Sequence, residues 1–232
     1  ALGSMATVSN CTAVGYYALG ANTTGAENTA FGSNCMDALT TGNYNDAFGR
    51  DALGTGTGFS ECCAFGNSAL KVNTADHNCA FGFNALGVNT SGARNTAFGH
   101  RALESNTTAV NNTAVGDYAL SDCTTGVDNV AVGREALQYC TTGYHCTAVG
   151  QESQKVMSTG SYNSSVGHTS LKSLTTGIQN NALGSGSMID LTTGSYNVAV
   201  GSDTAIDLTT GSNNVFLGHD AGRSNSPGGA VT

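Results

Sequence analysis

The sequence predicts an all-β chain wound as a β-solenoid, a β-roll of about thirteen turns of 17 residues. Three observations carry this. Glycine recurs at a fixed interval, an apolar residue stands directly before each of those glycines, and helix-forming runs are sparse. The anchor glycines are Gly15, Gly32, Gly49, Gly66, Gly82, Gly99, Gly116, Gly133, Gly150, Gly167, Gly184, Gly201 and Gly218. Every spacing is 17 except the 16 between Gly66 and Gly82. Such a unit is too short for two helices and their turns. One coil per unit fits, with rungs about 4.8 Å apart and a rod on the order of 60 Å long.

Each unit begins with a strand. Its last residue is always apolar: Val14, Phe31, Phe48, Phe65 and Phe81 among the early units, Val149, Leu183 and Leu217 among the later ones. Two before the anchor is Ala in eleven units, with Ser165 and Phe216 as exceptions. Side chains alternate along a strand, so both faces are apolar. The bulky face is expected in the coil's own core, and the flat Ala face against another chain. Burying each bulky residue would stabilise by roughly 1.5–3 kcal/mol. One rung alone cannot offset its ordering cost, but stacked rungs share a core.

The anchor glycine forms the next corner, where a Cβ would forbid either the backbone angle or a close approach. Gly15, Gly32, Gly49, Gly99, Gly133 and Gly201 are representative. The two residues after it vary freely (Tyr16-Tyr17, Arg50-Asp51, His100-Arg101), which marks a solvated corner. Ala-Leu follows, as in Ala18-Leu19 and Ala136-Leu137, and reads as a second short strand. A Thr-Thr-Gly turn closes the unit, as at Thr23-Thr24-Gly25. Four before the anchor stands Asn in ten units, among them Asn28, Asn95, Asn129 and Asn197. Stacked amides can hydrogen-bond along a ladder or to turn backbone. Cys11, Cys62 and Cys146 take the other three places and read as structural.

Composition narrows the function. Net charge is −8, and the eight basic residues are scattered, so no basic stripe exists for nucleic acid. No run of about 20 apolar residues is present to span a membrane. The low charge content argues against disorder, and glycine without a three-residue period and with one proline excludes collagen.

The run Asn28-Thr29-Ala30-Phe31-Gly32, repeated with Ala-Leu following, resembles two related families. It is similar to the head repeats of trimeric autotransporter adhesins and more similar to repeats of viral and phage tail fibres. Val215-Phe216-Leu217-Gly218-His219-Asp220-Ala221-Gly222 resembles the variant repeats of such fibres. The resemblance covers essentially the whole chain and implies a left-handed β-roll and a homotrimer. Two departures stand out: a unit longer than typical adhesin head repeats, and eight cysteines. Residues 1–232 read as one continuous array cut within a repeat at both ends, Ala1-Leu2 aligning with Ala18-Leu19 and Ser226-Pro227-Gly228 with Thr-Thr-Gly. A segment of a longer fibre is therefore expected.

Few residues point to chemistry. Cys63 and Cys79 stand three before their anchors in adjacent turns, and Cys123 and Cys140 seven after theirs. The rung spacing of about 4.8 Å admits a disulfide within each pair, the alternative being free buried thiols. No C-x-x-C pair points to zinc, and no metal or cofactor is expected. His100, His168 and His219 follow anchors and, with His77 and His145, read as exposed corner residues. No carboxylate pair, nucleophile with its base, calcium-loop repeat or phosphate loop is recognisable, so no catalytic residue is nominated and the chain is not expected to be an enzyme. N-x-[ST] sequons begin at Asn10, Asn22, Asn89, Asn106, Asn111 and Asn163.

The expected function is a structural fibre segment, a shaft like that of viral or phage tail fibres, supporting attachment to a host surface. Its expected partners are two further copies of itself, flanking fibre segments and a host-surface glycan or protein. Its expected location is extracellular or on a virion surface. The alternatives are a cell-surface trimeric adhesin or filament, and a monomeric ice-binding or glycan-binding solenoid with Thr rows such as Thr40-Thr41 and Thr192-Thr193.

Overall fold

In the computed structural model, which describes residues 9–223, each period makes one turn of a parallel β-solenoid. The expected all-β fold is observed, and no helix occurs among the described residues. The aligned ends, Ala1-Leu2 and Ser226-Pro227-Gly228, lie outside those residues. The chain divides into two compact units, residues 1–117 and 118–232. The first holds strands β1 (Thr12–Val14), β2 (Thr29–Phe31), β3 (Asp46–Phe48), β4 (Cys63–Phe65), β5 (Cys79–Phe81), β6 (Thr96–Phe98) and β7 (Thr113–Val115). The second holds β8 (Val130–Val132), β9 (Thr147–Val149), β10 (Ser164–Val166), β11 (Asn181–Leu183), β12 (Val198–Val200) and β13 (Val215–Leu217). Within each unit consecutive strands pair in parallel and in strict register, for example Ala30 with Ala47 and Val166 with Leu183. The shortened period between Gly66 and Gly82 does not break it: Cys63 pairs with Cys79.

The anchor glycine needs both properties expected of it. Along the chain its φ runs from +117° to +148°, a conformation rare for any L side chain. At Gly15, Gly32, Gly49, Gly99, Gly133 and Gly201 a Cβ would also lie under 3.0 Å from the next anchor's carbonyl. Its own N–H donates to the rung before, as in Gly32 N to Val14 O at 2.8 Å and Gly99 N to Phe81 O at 2.8 Å.

Ala-Leu is not the second strand expected of it. It lies in a turn, and the Leu takes the left-handed conformation, with φ +50° at Leu19, +49° at Leu53 and +51° at Leu137. That is an uncommon conformation for a bulky side chain. The environment offsets its cost. Each of these Leu side chains is fully buried, and its N–H donates to the following rung: Leu19 to Cys35 O at 3.0 Å, Leu137 to Ser153 O at 3.0 Å.

The two faces of the strand are also the reverse of the expectation. Ala30, Ala47, Ala64, Ala80, Ala97, Ala131 and Ala148 are fully buried inside the coil. The bulky residue before the anchor points outward instead, with Phe31 47%, Phe98 48% and Leu183 51% exposed. Width is the reason. In a regular rung the Leu of the turn, the Asn column and a further column seven after the anchor already fill the interior, leaving room only for a methyl. An Ala face so enclosed cannot pack against another chain.

Two irregular rungs show how tightly this interior is matched. In one, Gly56 stands in the column that carries Leu39 and Asn73, and Phe59 replaces the turn glycine. The Phe59 ring fills the vacancy, since a Cβ on Gly56 would meet it at 2.6 Å. In the other, Ser153-Gln154 replaces Ala-Leu and Ser165 replaces the strand Ala, all fully buried. Gln154 Nε2 donates to Thr147 O at 2.9 Å and to Ser165 Oγ at 2.8 Å, and Ser153 bonds Ser165. Gln154 Oε1 is buried without a hydrogen-bond partner, a costly arrangement.

Three stability outcomes follow, all read by urea unfolding. Gly99→Ala should cost about 3 kcal/mol or more, from the strained angle and the clash together. Gly58→Ala, at an exposed site whose nearest neighbour would be Thr41 Oγ1 at 3.4 Å, should stay within about 0.5 kcal/mol. Restoring the common pattern with Ser153→Ala, Gln154→Leu and Ser165→Ala together should stabilise by about 1–3 kcal/mol.

Candidate functional site

Three-residue strands leave two outward columns on the sheet. One is the bulky column. In the first unit its rings form a continuous stack: Phe31–Phe48 at 5.8 Å, Phe48–Phe65 at 4.5 Å, Phe65–Phe81 at 4.7 Å and Phe81–Phe98 at 4.5 Å, with interplanar angles from 2° to 16°. Register forces this, because identical side chains on neighbouring rungs have no other place to go. Val115 continues the column. In the second unit it is built from Val132, Val149, Val166, Leu183, Val200 and Leu217. The other outward column is small and mixed: Thr29, Asp46, Cys63, Cys79 and Thr96, then Val130, Thr147, Ser164, Asn181 and Val198. Between the columns of the second unit runs an open groove of about 230 Å³, lined by Ser164, Val166, Asn181, Leu183, Val198 and Val200. The outer face is thus an apolar stripe of the kind soluble monomers seldom expose.

The Asn column is the ladder expected of it. Asn28 Nδ2 donates to the turn carbonyl of Gly42 at 2.8 Å, and Asn28 Oδ1 accepts the Asn45 N–H at 3.0 Å. Asn95 gives its amide to Ala109 O at 2.8 Å and accepts the N–H of Asn112 at 3.0 Å. Asn129 bonds Gly143 O at 2.9 Å and Cys146 N at 3.0 Å. Asn197 bonds Gly211 O at 2.8 Å and Asn214 N at 3.0 Å. Each amide therefore ties two rungs and a turn. The substituting cysteines keep one of these bonds: Cys146 Sγ lies 3.6 Å from Gly160 O, where the amide would donate.

A second buried column stands seven after the anchor, and Cys123 and Cys140 are two of its members. It runs Asn22, Leu39, Asn73, Asn89, Asn106, and in the second unit Cys123, Cys140, Met157, Leu174 and Leu191. Its asparagines clasp their own turns, as in Gly25 N to Asn22 Oδ1 at 2.9 Å and Asn22 Nδ2 to Gly25 O at 3.0 Å. The Thr pairs form an outer ladder: Thr40 Oγ1 donates to Thr57 O at 2.8 Å and Thr175 Oγ1 to Thr192 O at 2.9 Å. Those hydroxyls are spent on backbone. Of the sequons, Asn22, Asn89, Asn106 and Asn163 are fully buried, and Asn10 and Asn111 are exposed.

All eight cysteines are free thiols. Cys63 and Cys79 sit in register on the outer face, half-buried, and Cys123 and Cys140 on successive rungs inside. Desolvation pushes the thiols up, Cys35, Cys62 and Cys146 to about 11 and Cys63 and Cys123 to about 12, with Cys140 raised further in the same direction. Such thiols are protonated and unreactive near neutral pH.

Several charged side chains pair on the corners. Lys155 Nζ meets Glu135 at 2.5 Å, Lys172 Nζ meets Glu152 at 2.6 Å, and Arg134 bridges Glu135 at 2.6 Å and Glu152 at 3.4 Å. The Lys172 hydrogen bond holds Glu152 below the usual carboxylate range, and the Glu135 bond raises Lys155. Of the corner histidines, His77 faces Glu61 at 3.1 Å, His100 faces Asp117 at 2.9 Å and His145 faces Asp128 at 3.8 Å. Asp203, His219 and Asp220 bring one ligand atom each within 4.8 Å of one another, a cluster sequence spacing did not reveal. Arg223 also engages Asp220, at 3.0 Å. Among the described residues no helix is long and apolar enough to cross a membrane. Comparison with family models, with curated proteins and with solved structures finds no match.

Thiol labelling at neutral pH, read by mass spectrometry, should leave Cys35, Cys62, Cys123, Cys140 and Cys146 unmodified in the native chain and modify them in urea. A rung-to-rung disulfide would keep its pair unlabelled in urea until reduced. Because burial raises these thiols above their ordinary 9.0, their contribution to stability is full below pH 9 and is lost as pH rises toward about 12. A urea midpoint constant from pH 6 to 8 and falling above about 9 is expected.

Proposed function

We propose that the chain is a structural shaft segment of a homotrimeric fibre, of the kind found in viral and phage tail fibres, placed outside the cell or on a virion to support host attachment. One observation carries this: the in-register stack of Phe31, Phe48, Phe65, Phe81 and Phe98 on the outer face of the first unit, continued there by Val115. A flat, apolar stripe along parallel rungs is what chains packed side by side around a common axis would share. Burial of the bulky column between chains replaces the packing first assigned to Ala. In this reading the chain bears load and sets distance. Its amide, threonine and backbone ladders resist local opening, and chemistry is left to other parts of the assembly.

Orientation supplies the test. Phe65→Glu places charge on the outer column and should reduce the native mass to that of one chain while the β circular dichroism persists. Ala64→Glu, one residue earlier and fully buried, should abolish folding. A Phe65→Glu chain that keeps the oligomeric mass would remove this face from the interface.

A further inference from the structure

The corner directly before the Asn ladder differs between the two units. In every rung it takes the left-handed conformation, including His145 (φ +55°), Tyr162 (+59°), Gln179 (+55°), Tyr196 (+61°) and Asn213 (+63°). Asn suits that conformation, and Asn10, Asn111 and Asn213 show it in use. A tyrosine there is conformationally costly, so its ring needs another reason. In the first unit Tyr44 stands between Glu27 and Glu61. In the second, from Tyr162 to Asn213, the corner carries no formal charge. The residues beside it, Tyr144, Ser161, Ile178, Ser195 and Ser212, are neutral too. Three rings are well exposed: Tyr144 41%, Tyr162 49% and Tyr196 50%.

This patch is rigid where it must be. Corner N–H groups donate to the rung before: Tyr162 to Tyr144 O at 3.0 Å, Gln179 to Ser161 O at 3.1 Å and Tyr196 to Ile178 O at 3.0 Å. Ser161 and Ser195 hydroxyls accept the Tyr144 and Ile178 N–H at 3.2 and 3.1 Å. Tyr162 packs on His145 with ring centres 5.1 Å apart, and edge-on to Tyr144 at 5.2 Å. Its other neighbour in the column is Gln179, followed by Tyr196. Tyr162 and Tyr196 are thus two rungs apart, about 9.6 Å. That span is close to two sugar units of an extended chain.

We infer that this corner binds a neutral, extended oligosaccharide lying across the rungs. Apolar C–H faces of two hexoses would meet Tyr162 and Tyr196, and the Gln179 amide and the phenol groups would take up hydroxyls. From Tyr162 to Asn213 the corner offers no formal charge to an anionic ligand, the Asp128–His145 pair standing at one end of it, while amphipathic rings on a preorganised backbone bind a sugar at small entropic cost. This deepens the attachment reading but rests on a corner outside the bulky outer column, so the two are separable.

Titration calorimetry with cellohexaose, chitohexaose and mannohexaose tests it on the full chain and on the Phe65→Glu variant. At least one probe should bind saturably. Tyr196→Ala and Tyr162→Ala should each weaken it about tenfold or more, and Tyr44→Ala should leave it unchanged. Binding retained by a dissociated Phe65→Glu chain supports the site independently of the oligomer. No saturable binding of any of the three, or binding indifferent to both tyrosines, overturns the proposal, whatever the native mass.

Discussion

The whole structure depends on how closely the backbone turns approach one another at the anchor glycines. There the carbonyl of one rung occupies the space a Cβ of its neighbour would need. Only glycine allows that approach, and only at the positive φ it adopts. Once this column is set, every other residue must repeat in register. The Asn amides meet the next N–H, the threonine hydroxyls meet the next carbonyl, and the phenylalanine rings stack. Ladder geometry also spreads stability over neighbouring rungs, since the strand and Asn-ladder hydrogen bonds run from one rung to the next.

The same closeness makes the coil narrow, and narrowness decides which residues face in. A methyl, a Leu in a left-handed turn and two columns of amide, thiol, Met or Leu fill each rung. The phenylalanines that directly precede an anchor glycine are left on the outer face. The stripe that points to association with other copies is thus a consequence of interior volume, not an independent feature of the surface.

The period, the glycine corner and the amide ladder were legible in the sequence because each column holds one residue type with one chemistry. Orientation was not. Alternation along Thr-Ala-Phe separates two faces but does not say which is inside, and in wider folds the larger side chain is the one that fills the core. The left-handed Leu was hidden because leucine is an unusual residue for that angle, and only the hydrogen bond from its N–H and its full burial explain it. The second inner column is hard to read as a column because its chemistry drifts from Asn22 through Cys123 and Met157 to Leu191, all buried at one position of the repeat. Phe59 opposite Gly56 is a compensation between two columns, invisible when each is read alone. The corner tyrosines are not legible in the sequence either, since that position varies from rung to rung and its meaning lies in which rungs are neighbours.

The proposed fibre shaft would join a tight ladder interior to an apolar outer stripe. Sedimentation equilibrium of the unaltered chain, with and without reductant, tests that union most directly. The account predicts three times the chain mass of 23.3 kDa, unchanged by reductant. A single-chain mass at every concentration would contradict it, leaving the solenoid standing and its outer stripe without the partner assigned to it.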